Sequence, residues 1–255
     1  MLGAIAGDII GSVYETSPIK TKAFPLFQPG SRFTDDTVLT VAIADAILSG
    51  RPYADAIREF GRRYPNAGYG GTFRRWLHID DAGPYGSWGN GSAMRVNPVG
   101  FAFGSEDGVL EQARLSAAIT HNHPEGIRGA QATALAVFLA RTGHAKPVIR
   151  DRLVRGFGYD LERSVDDIRP DYGFDVSCQG SVPEAIIAFL DSDSVEDAIR
   201  NAVSLGGDSD TMACIAGGIA EAFHGGVPDH IREPVEALLP EDLGRVTRSF
   251  RGRFR

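Results

Sequence analysis

Carboxylates gather at two points in this chain, Thr34-Asp35-Asp36-Thr37 and Gly206-Gly207-Asp208-Ser209-Asp210-Thr211, about 170 residues apart. Each directly precedes a long apolar run, residues 38–48 in one case and 212–223 in the other. Asp, Ser and Thr in such places can simply cap a helix, satisfying the free N–H groups of its first turn and complementing its dipole. One carboxylate suffices for a cap, and here four arrive together with hydroxyls. If the two helix starts meet in space, four carboxylates repel one another unless a cation neutralises them. Every donor is an oxygen, which suits Mg²⁺, Mn²⁺ or Ca²⁺ and argues against zinc. His121 and His123 form a His-x-His pair, but no third nitrogen or sulfur ligand accompanies them as zinc would require.

The elements that must position these acids follow from periodicity. The two runs after the clusters are apolar on nearly all sides, so they belong in the middle of a core. Apolar residues at three- and four-residue spacing predict further helices over 53–63, 108–119, 126–139, 182–190 and 195–203, and no comparable alternating strand occurs. The fold class is therefore all-α. Ser181-Val182-Pro183-Glu184 reads as a capping box with proline in the first turn, and Asn122-His123-Pro124-Glu125 marks another helix start. Gly126, Gly129, Ala130, Ala132, Ala134 and Ala136 give one helix a surface of small residues on which a neighbour can pack closely. Glycine-rich segments over 66–72, 86–92 and 171–180 are too long for mere turns, and loops of this kind usually carry function.

Composition sets the outer bounds. The chain has 255 residues, 43% hydrophobic and 23% charged, with 31 glycines and no linker or low-complexity run. That is one ordinary globular domain with a large core. A net charge of -7 argues against general nucleic-acid binding, which depends on a basic field. Arg245, Arg248, Arg251, Arg253 and Arg255 crowd the C-terminus, as a solvated helix end would. Cys178 and Cys214 form no CxxC pattern, and Cys214 sits in an apolar run as a small core residue would. With no positive n-region at the start and no apolar run near 20 residues, the expectation is a soluble cytoplasmic protein without membrane association.

The ordered set of motifs resembles the ADP-ribosylglycohydrolases, the group that includes the enzyme removing ADP-ribose from dinitrogenase reductase and the animal ADP-ribosyl-acceptor hydrolases. It starts with Gly7-Asp8-Ile9-Ile10-Gly11-Ser12-Val13-Tyr14-Glu15 and continues through Phe33-Thr34-Asp35-Asp36-Thr37, Gly86-Ser87-Trp88-Gly89-Asn90-Gly91-Ser92-Ala93-Met94-Arg95 and Thr120-His121. It ends with Gly206-Gly207-Asp208-Ser209-Asp210-Thr211 and so covers nearly the whole chain. The resemblance implies a compact, single-domain orthogonal helix bundle over 1–255, with a dinuclear Mg²⁺ or Mn²⁺ site at the N-termini of central helices. Thr34, Asp35, Asp36, Asp208, Asp210 and Thr211 match the family's ligands. Two such ions can activate water and polarise sugar hydroxyls at once.

Cleaving a glycosidic bond passes through an oxocarbenium-like state in which the leaving group needs a proton and the water a base. Glu15 and Asp35 are the two candidates. Glu15 matches a glutamate on a movable loop of the serine-directed animal relatives, where the arginine-directed ones differ; an exposed glutamate after a helix is the plain alternative. By the same resemblance Ser87, Trp88, Gly89, Asn90 and Gly91 would lie against the nucleotide, glycine N–H groups approaching the diphosphate and the Trp88 ring stacking on adenine. Read without it, Asn90-Gly91 is a turn and Trp88 a core aromatic. Gly70 and Gly71, in Tyr69-Gly70-Gly71-Thr72, resemble a second ligand-lining loop. His121 matches a histidine near the ribose and phosphates, with a helix-capping role as its alternative. The segment from Asp171 to Ser181, bearing Tyr172 and Phe174, resembles a loop that closes over the adenosine side in small bacterial members.

The expected activity is metal-dependent release of ADP-ribose from a modified side chain, arginine favoured over serine, the partner being an ADP-ribosylated protein or a small ADP-ribose conjugate. The alternatives are a non-catalytic binding or structural member of the fold, a hydrolase of O-acyl-ADP-ribose or another ADP-ribosyl conjugate, and a metal-dependent phosphohydrolase. Unneutralised clustered acids speak against a purely structural role.

Overall fold

The computed structural model describes residues 1–254, and Arg255 lies outside them. The first helices are α1 (Leu2–Gly11), α2 (Asp35–Ser49), α3 (Tyr53–Arg63), α4 (Gly71–His78), α5 (Gly91–Met94), α6 (Asn97–Ala102) and α7 (Glu106–Ala118). They are followed by α8 (Pro124–Arg141), α9 (Lys146–Phe157), α10 (Val165–Ile168), α11 (Cys178–Leu190) and α12 (Val195–Ser204). The chain closes with α13 (Ser209–His224), α14 (Asp229–Leu238) and α15 (Glu241–Arg253). Among the described residues there is no sheet, only an isolated antiparallel bridge between Gly89 and Ser177. The all-α reading holds.

The two apolar helices after the acid clusters are central: α13 is buried from Ser209 through Ala222, and α2 from Asp36 through Ala44. Against α13 lies α1, every residue of which is buried. Gly3 faces Gly217, Gly7 faces Ala213 and Gly11 faces Ser209 and Asp210, so the helices run antiparallel with backbones in contact. A Cβ built on Gly7 would stand 2.6 Å from Cys214 N and closer still to the Ala213 carbonyl. No side chain larger than hydrogen fits that seam. Its consequence is positional: the C-terminal end of α1 is delivered to the N-terminal end of α13.

Helix ends follow local chemistry in most places. The expected helix over 53–63 is found as α3, and α7 starts two residues earlier than expected because Ser105 Oγ accepts from Gly108 N at 3.2 Å. His123 caps α8, its Nδ1 accepting from Glu125 N at 3.1 Å, with Pro124 in the first turn. The capping box at Ser181 is corrected. There the helix begins a turn earlier, with Ser177 as N-cap accepting from Gly180 N at 3.0 Å, and Ser181 Oγ donates to the Ser177 carbonyl instead. The pairing of Cys178 N with Trp88 O (2.9 Å) and of Asn90 N with Val176 O (2.8 Å) fixes the chain ahead of that earlier start. The small-residue face of α8 receives α11 and the glycine segment: a Cβ on Gly129 would meet Cys178 Sγ at 2.5 Å, and one on Gly126 the Ser87 carbonyl at 2.6 Å. On α15, Arg248 pairs with Glu241 and Arg251 with Glu236, an ordinary solvated helix end.

Candidate active site and metal centre

The N-termini of α2 and α13 meet beside the second half of α1, and neither acidic cluster is spent on capping. Thr34, extended at φ -119, ψ -165, caps α2 by accepting from Asp36 N at 3.3 Å. Asp208 precedes α13 with no side-chain cap bond; its Oδ2 accepts instead from Asn90 Nδ2 at 2.8 Å. The carboxylates of both clusters face the gap between the helices, Asp210 Oδ1 also accepting from Thr211 N at 3.0 Å, and the positive ends of two dipoles point there too.

One acid there was missed in the sequence. Asp8, fully buried in the middle of α1, accepts Thr34 N at 2.9 Å, Thr34 Oγ1 at 2.6 Å and Thr37 N at 3.1 Å, with Thr37 Oγ1 as a fourth donor. It ties α1 to the first turn of α2. Apart from its place in the motif from Gly7 to Glu15, its sequence signal is a charge inside an otherwise apolar run.

Two groups of three carboxylates have oxygens that all lie within 4.8 Å of one another, Asp8 with Asp36 and Asp210, and Glu15 with Asp208 and Asp210. Asp210 belongs to both. Thr211 Oγ1 reaches Asp36 Oδ2 at 3.4 Å, closing the ring. Burial pushes the Asp36 and Asp210 carboxyls well above the usual carboxylate range, and the neighbouring acids push them further. Asp8 and Asp208 are raised by burial as well, each partly offset by the hydrogen bonds it accepts. Asp35 is pushed up to about 8 by burial first and Asp8 second. Six acids thus converge where protein cations do not balance them. Asp36 Oδ1, buried, has no hydrogen-bond partner among the described residues. Hard oxygen donors, an orphaned carboxylate oxygen and mutual repulsion all fit divalent cations of the Mg²⁺ or Mn²⁺ type.

These residues, Asp8 excepted, line a cavity of about 620 Å³. Glu15, Thr34, Asp35, Asp36, Asp208, Asp210 and Thr211 line it, as do Gly70, Gly71, Ser87, Trp88, Gly89, Asn90, Gly91 and His121. The acids, hydroxyls, glycines, Trp88, Asn90 and His121 named from the sequence thus share one cavity, while Tyr172 and Phe174 are not in its lining; Asp8 lies beneath. Glu15 stands on the segment after α1, half-buried, and its carboxyl is raised by burial and then by Asp208, with Arg32 pulling the other way. Lys20 anchors that segment by donating to the Leu205 carbonyl at 2.6 Å and to the carbonyl of Tyr172. Trp88 is 48% exposed at the mouth, so it is not the core aromatic that its alternative reading made it. Asn90 is less a ligand-facing turn than an orienting group, buried between Asp208 and Ser181. The segment from Asp171 to Ser181 divides: Cys178 to Ser181 are helical, Tyr172 Oη donates inward to Gly180 O at 2.8 Å, and Phe174 is exposed. Arg32, Phe73, Tyr85, Val176 and Arg95 also line the cavity and were not singled out as site residues.

The family model for ADP-ribosylglycohydrolase matches residues 1–254. The chain belongs to that family. The ADP-ribosylglycohydrolases are hydrolases of ADP-ribosyl glycosidic bonds, and this chain is one by class. It is 28% identical to human (Homo sapiens) ADP-ribosylhydrolase ARH3, over 96% of this chain and 92% of that one. It is 27% identical to ADP-ribosylarginine hydrolase Tri1 of Pseudomonas putida (strain GB-1), over 92% of this chain and 72% of that one. A solved chain described as "ADP-ribosylglycohydrolase-related protein complex" superposes with a TM-score of 0.70 at 26% identity, across 96% of this chain and 97% of that one. No helix among the described residues of this ADP-ribosylglycohydrolase is long and apolar enough to cross a membrane.

Proposed function

We propose that residues 1–255 act as one cytoplasmic domain that hydrolyses the glycosidic bond between ADP-ribose and a modified amino-acid side chain, with arginine the favoured acceptor. The observation that carries this reading is the shared lining of one cavity: the clustered carboxylates and the glycine segment with Trp88 both face it, and Asn90 of that segment donates to Asp208 at 2.8 Å. The distal ribose belongs over the acids and the adenosine against Trp88. Thr34, Asp35, Asp36, Asp208, Asp210 and Thr211 would hold two Mg²⁺ or Mn²⁺ ions, with Asp8 fixing Thr34 and Thr37 from below. Bound there, the ions would supply Lewis acidity to the sugar oxygens and neutralise the acids.

The chain's own residues account for the proton movements. Glu15, whose surroundings favour its protonated form, would donate to a side-chain atom that departs as an alkoxide, whereas a guanidinium brings its own proton. Asp35, ionised once the cluster is neutralised, takes the proton of the attacking water. Main-chain N–H groups around Gly89 and Gly91 and the His121 ring face the diphosphate, the glycines letting it approach the backbone. The Tri1 relative, named for arginine, supports that linkage. A serine linkage is the second reading, favoured by Glu15, because an alkoxide leaving group needs an acid where a guanidinium already carries its proton.

The test is turnover of arginine-linked and serine-linked ADP-ribosyl peptides with and without Mg²⁺ or Mn²⁺, together with metal content by elemental analysis. Asp36→Ala and Asp210→Ala are expected to lose bound metal and hydrolysis while keeping the helical fold. Full activity in metal-stripped enzyme or in either variant refutes the metal assignment. AMP and ribose phosphate as products, in place of ADP-ribose, refute the glycosidic reading.

A further inference from the structure

His121 lines the cavity yet is 5% exposed, and its ring is gripped from behind. Nδ1 lies 2.7 Å from the hydroxyl of Thr120, which is itself fully buried. That hydroxyl also accepts from Arg95 Nη2 at 2.9 Å, and the same guanidinium nitrogen donates to the Ser116 carbonyl at 3.0 Å. A guanidinium only donates. The Thr120 proton must therefore go elsewhere, and the one acceptor within reach of it among the described residues is His121 Nδ1. Were Nδ1 protonated instead, a buried hydroxyl would be left without an acceptor, which costs its full desolvation. A doubly protonated ring would add a second buried cation next to Arg95.

We propose that Arg95 and Thr120 are positioning residues that lock His121 in the tautomer with its proton on Nε2, making it a fixed, neutral hydrogen-bond donor into the cavity. Among the described residues the ring's one hydrogen bond is through Nδ1, and Nε2 lies on the cavity side. It faces Gly91, where a Cβ would stand only 3.1 Å away, so the glycine keeps the donor uncovered. The same residue also sets the opposite wall: the Thr120 carbonyl accepts from Tyr85 N and Ser87 N, both at 3.4 Å. A donor of this kind takes an acceptor oxygen, phosphate or sugar, and cannot serve as a base at that atom. Burial, with Arg95 beside it, holds the ring pKa well below the ordinary histidine value, in keeping with a neutral ring. That the acceptor oxygen belongs to ADP-ribose rests on the function proposed above; the tautomer does not.

The experiment is long-range ¹H–¹⁵N correlation of the uniformly labelled, ligand-free full chain at pH 7, His121 being identified by the signals missing in His121→Gln. The expected pattern is a protonated Nε2 and an unprotonated Nδ1. A ring protonated on Nδ1, or on both nitrogens, overturns the proposal without recourse to any variant. In Thr120→Val the Nδ1 shift should move and the ADP-ribose dissociation constant, by calorimetry, should rise about ten-fold, whereas Thr120→Ser should match the parent in both. A folded Thr120→Val with unchanged shifts and affinity also overturns it. Absence of ADP-ribose binding by the parent chain would instead refute the proposed function and leave the tautomer to the spectrum.

Discussion

Stripped of metal, this protein should become less stable as the pH rises from 7 to 8. Asp35, pushed up from 3.8 to about 8, binds its proton more tightly in the folded chain than in the unfolded one. The stability it contributes is therefore complete below about pH 4 and is lost as the pH climbs to about 8. From those two values Asp35 alone loses about 1 kcal/mol between pH 7 and pH 8. Asp36 and Asp210, raised by burial and by their neighbours, carry the same sign. The loss of about 1 kcal/mol from Asp35 lowers Tm by about 2–4 °C for a chain of this size. A divalent ion at a hundred times its dissociation constant adds about 2.7 kcal/mol and removes the slope, because it holds the carboxylates ionised. The assay is thermal melting of chelator-treated protein at both pH values, with and without Mg²⁺ or Mn²⁺, beside Asp35→Asn. Other titrating groups, His121 among them, cancel in that comparison. A chelated parent whose Tm holds or rises from pH 7 to 8 relative to Asp35→Asn, or that gains nothing from the ions, would show that the acids are not a cation site.

Trp88→Ala should weaken ADP-ribose binding five- to a hundred-fold, the roughly 1–3 kcal/mol of a lost base stack, while Trp88→Tyr keeps most of it; calorimetric titration decides, and unchanged affinity in the alanine variant places adenine elsewhere. Glu15→Gln should depress turnover of a serine-linked peptide far more than of an arginine-linked one, since only the alkoxide needs its proton; equal loss on both, or none, assigns Glu15 a different role. Gly7→Ala should destabilise the fold by about 3 kcal/mol or more, because its methyl would meet α13 backbone that cannot rotate away; a Tm within a degree or two of the parent would mean that α1 shifts freely.

Much of the site was legible because the candidate metal ligands stand at helix starts. A cluster such as Thr34-Asp35-Asp36-Thr37 before an apolar run marks both the element and the chemistry. What distinguishes ligand from cap is where the oxygens point, and that depends on Asn90 drawing Asp208 away from its own helix. Asp8 was hidden for the opposite reason: it sits at no boundary, and its four donors come from a segment 26 and more residues on. The start of α11 was misplaced because local capping chemistry at Ser181 lost to the bridge between Gly89 and Ser177, a contact that no local pattern encodes. Which glycines of α1 form a contact surface became visible only once α13 lay on it.

That seam also has a consequence for how the molecule is made. Gly7 and Asp8 wait for Ala213 and Asp210, partners about 200 residues further along the chain. At a synthesis rate of about 5–20 residues per second, the apolar α1 exists for roughly 10–40 s before its glycine face can be covered. No ion could template the site in that interval, since Asp208 and Asp210 have yet to be polymerised. A metal held there would therefore enter a finished fold, and a chain cut short before α13 is left with an apolar helix and unmatched acids, a product for the quality-control machinery rather than a partial enzyme.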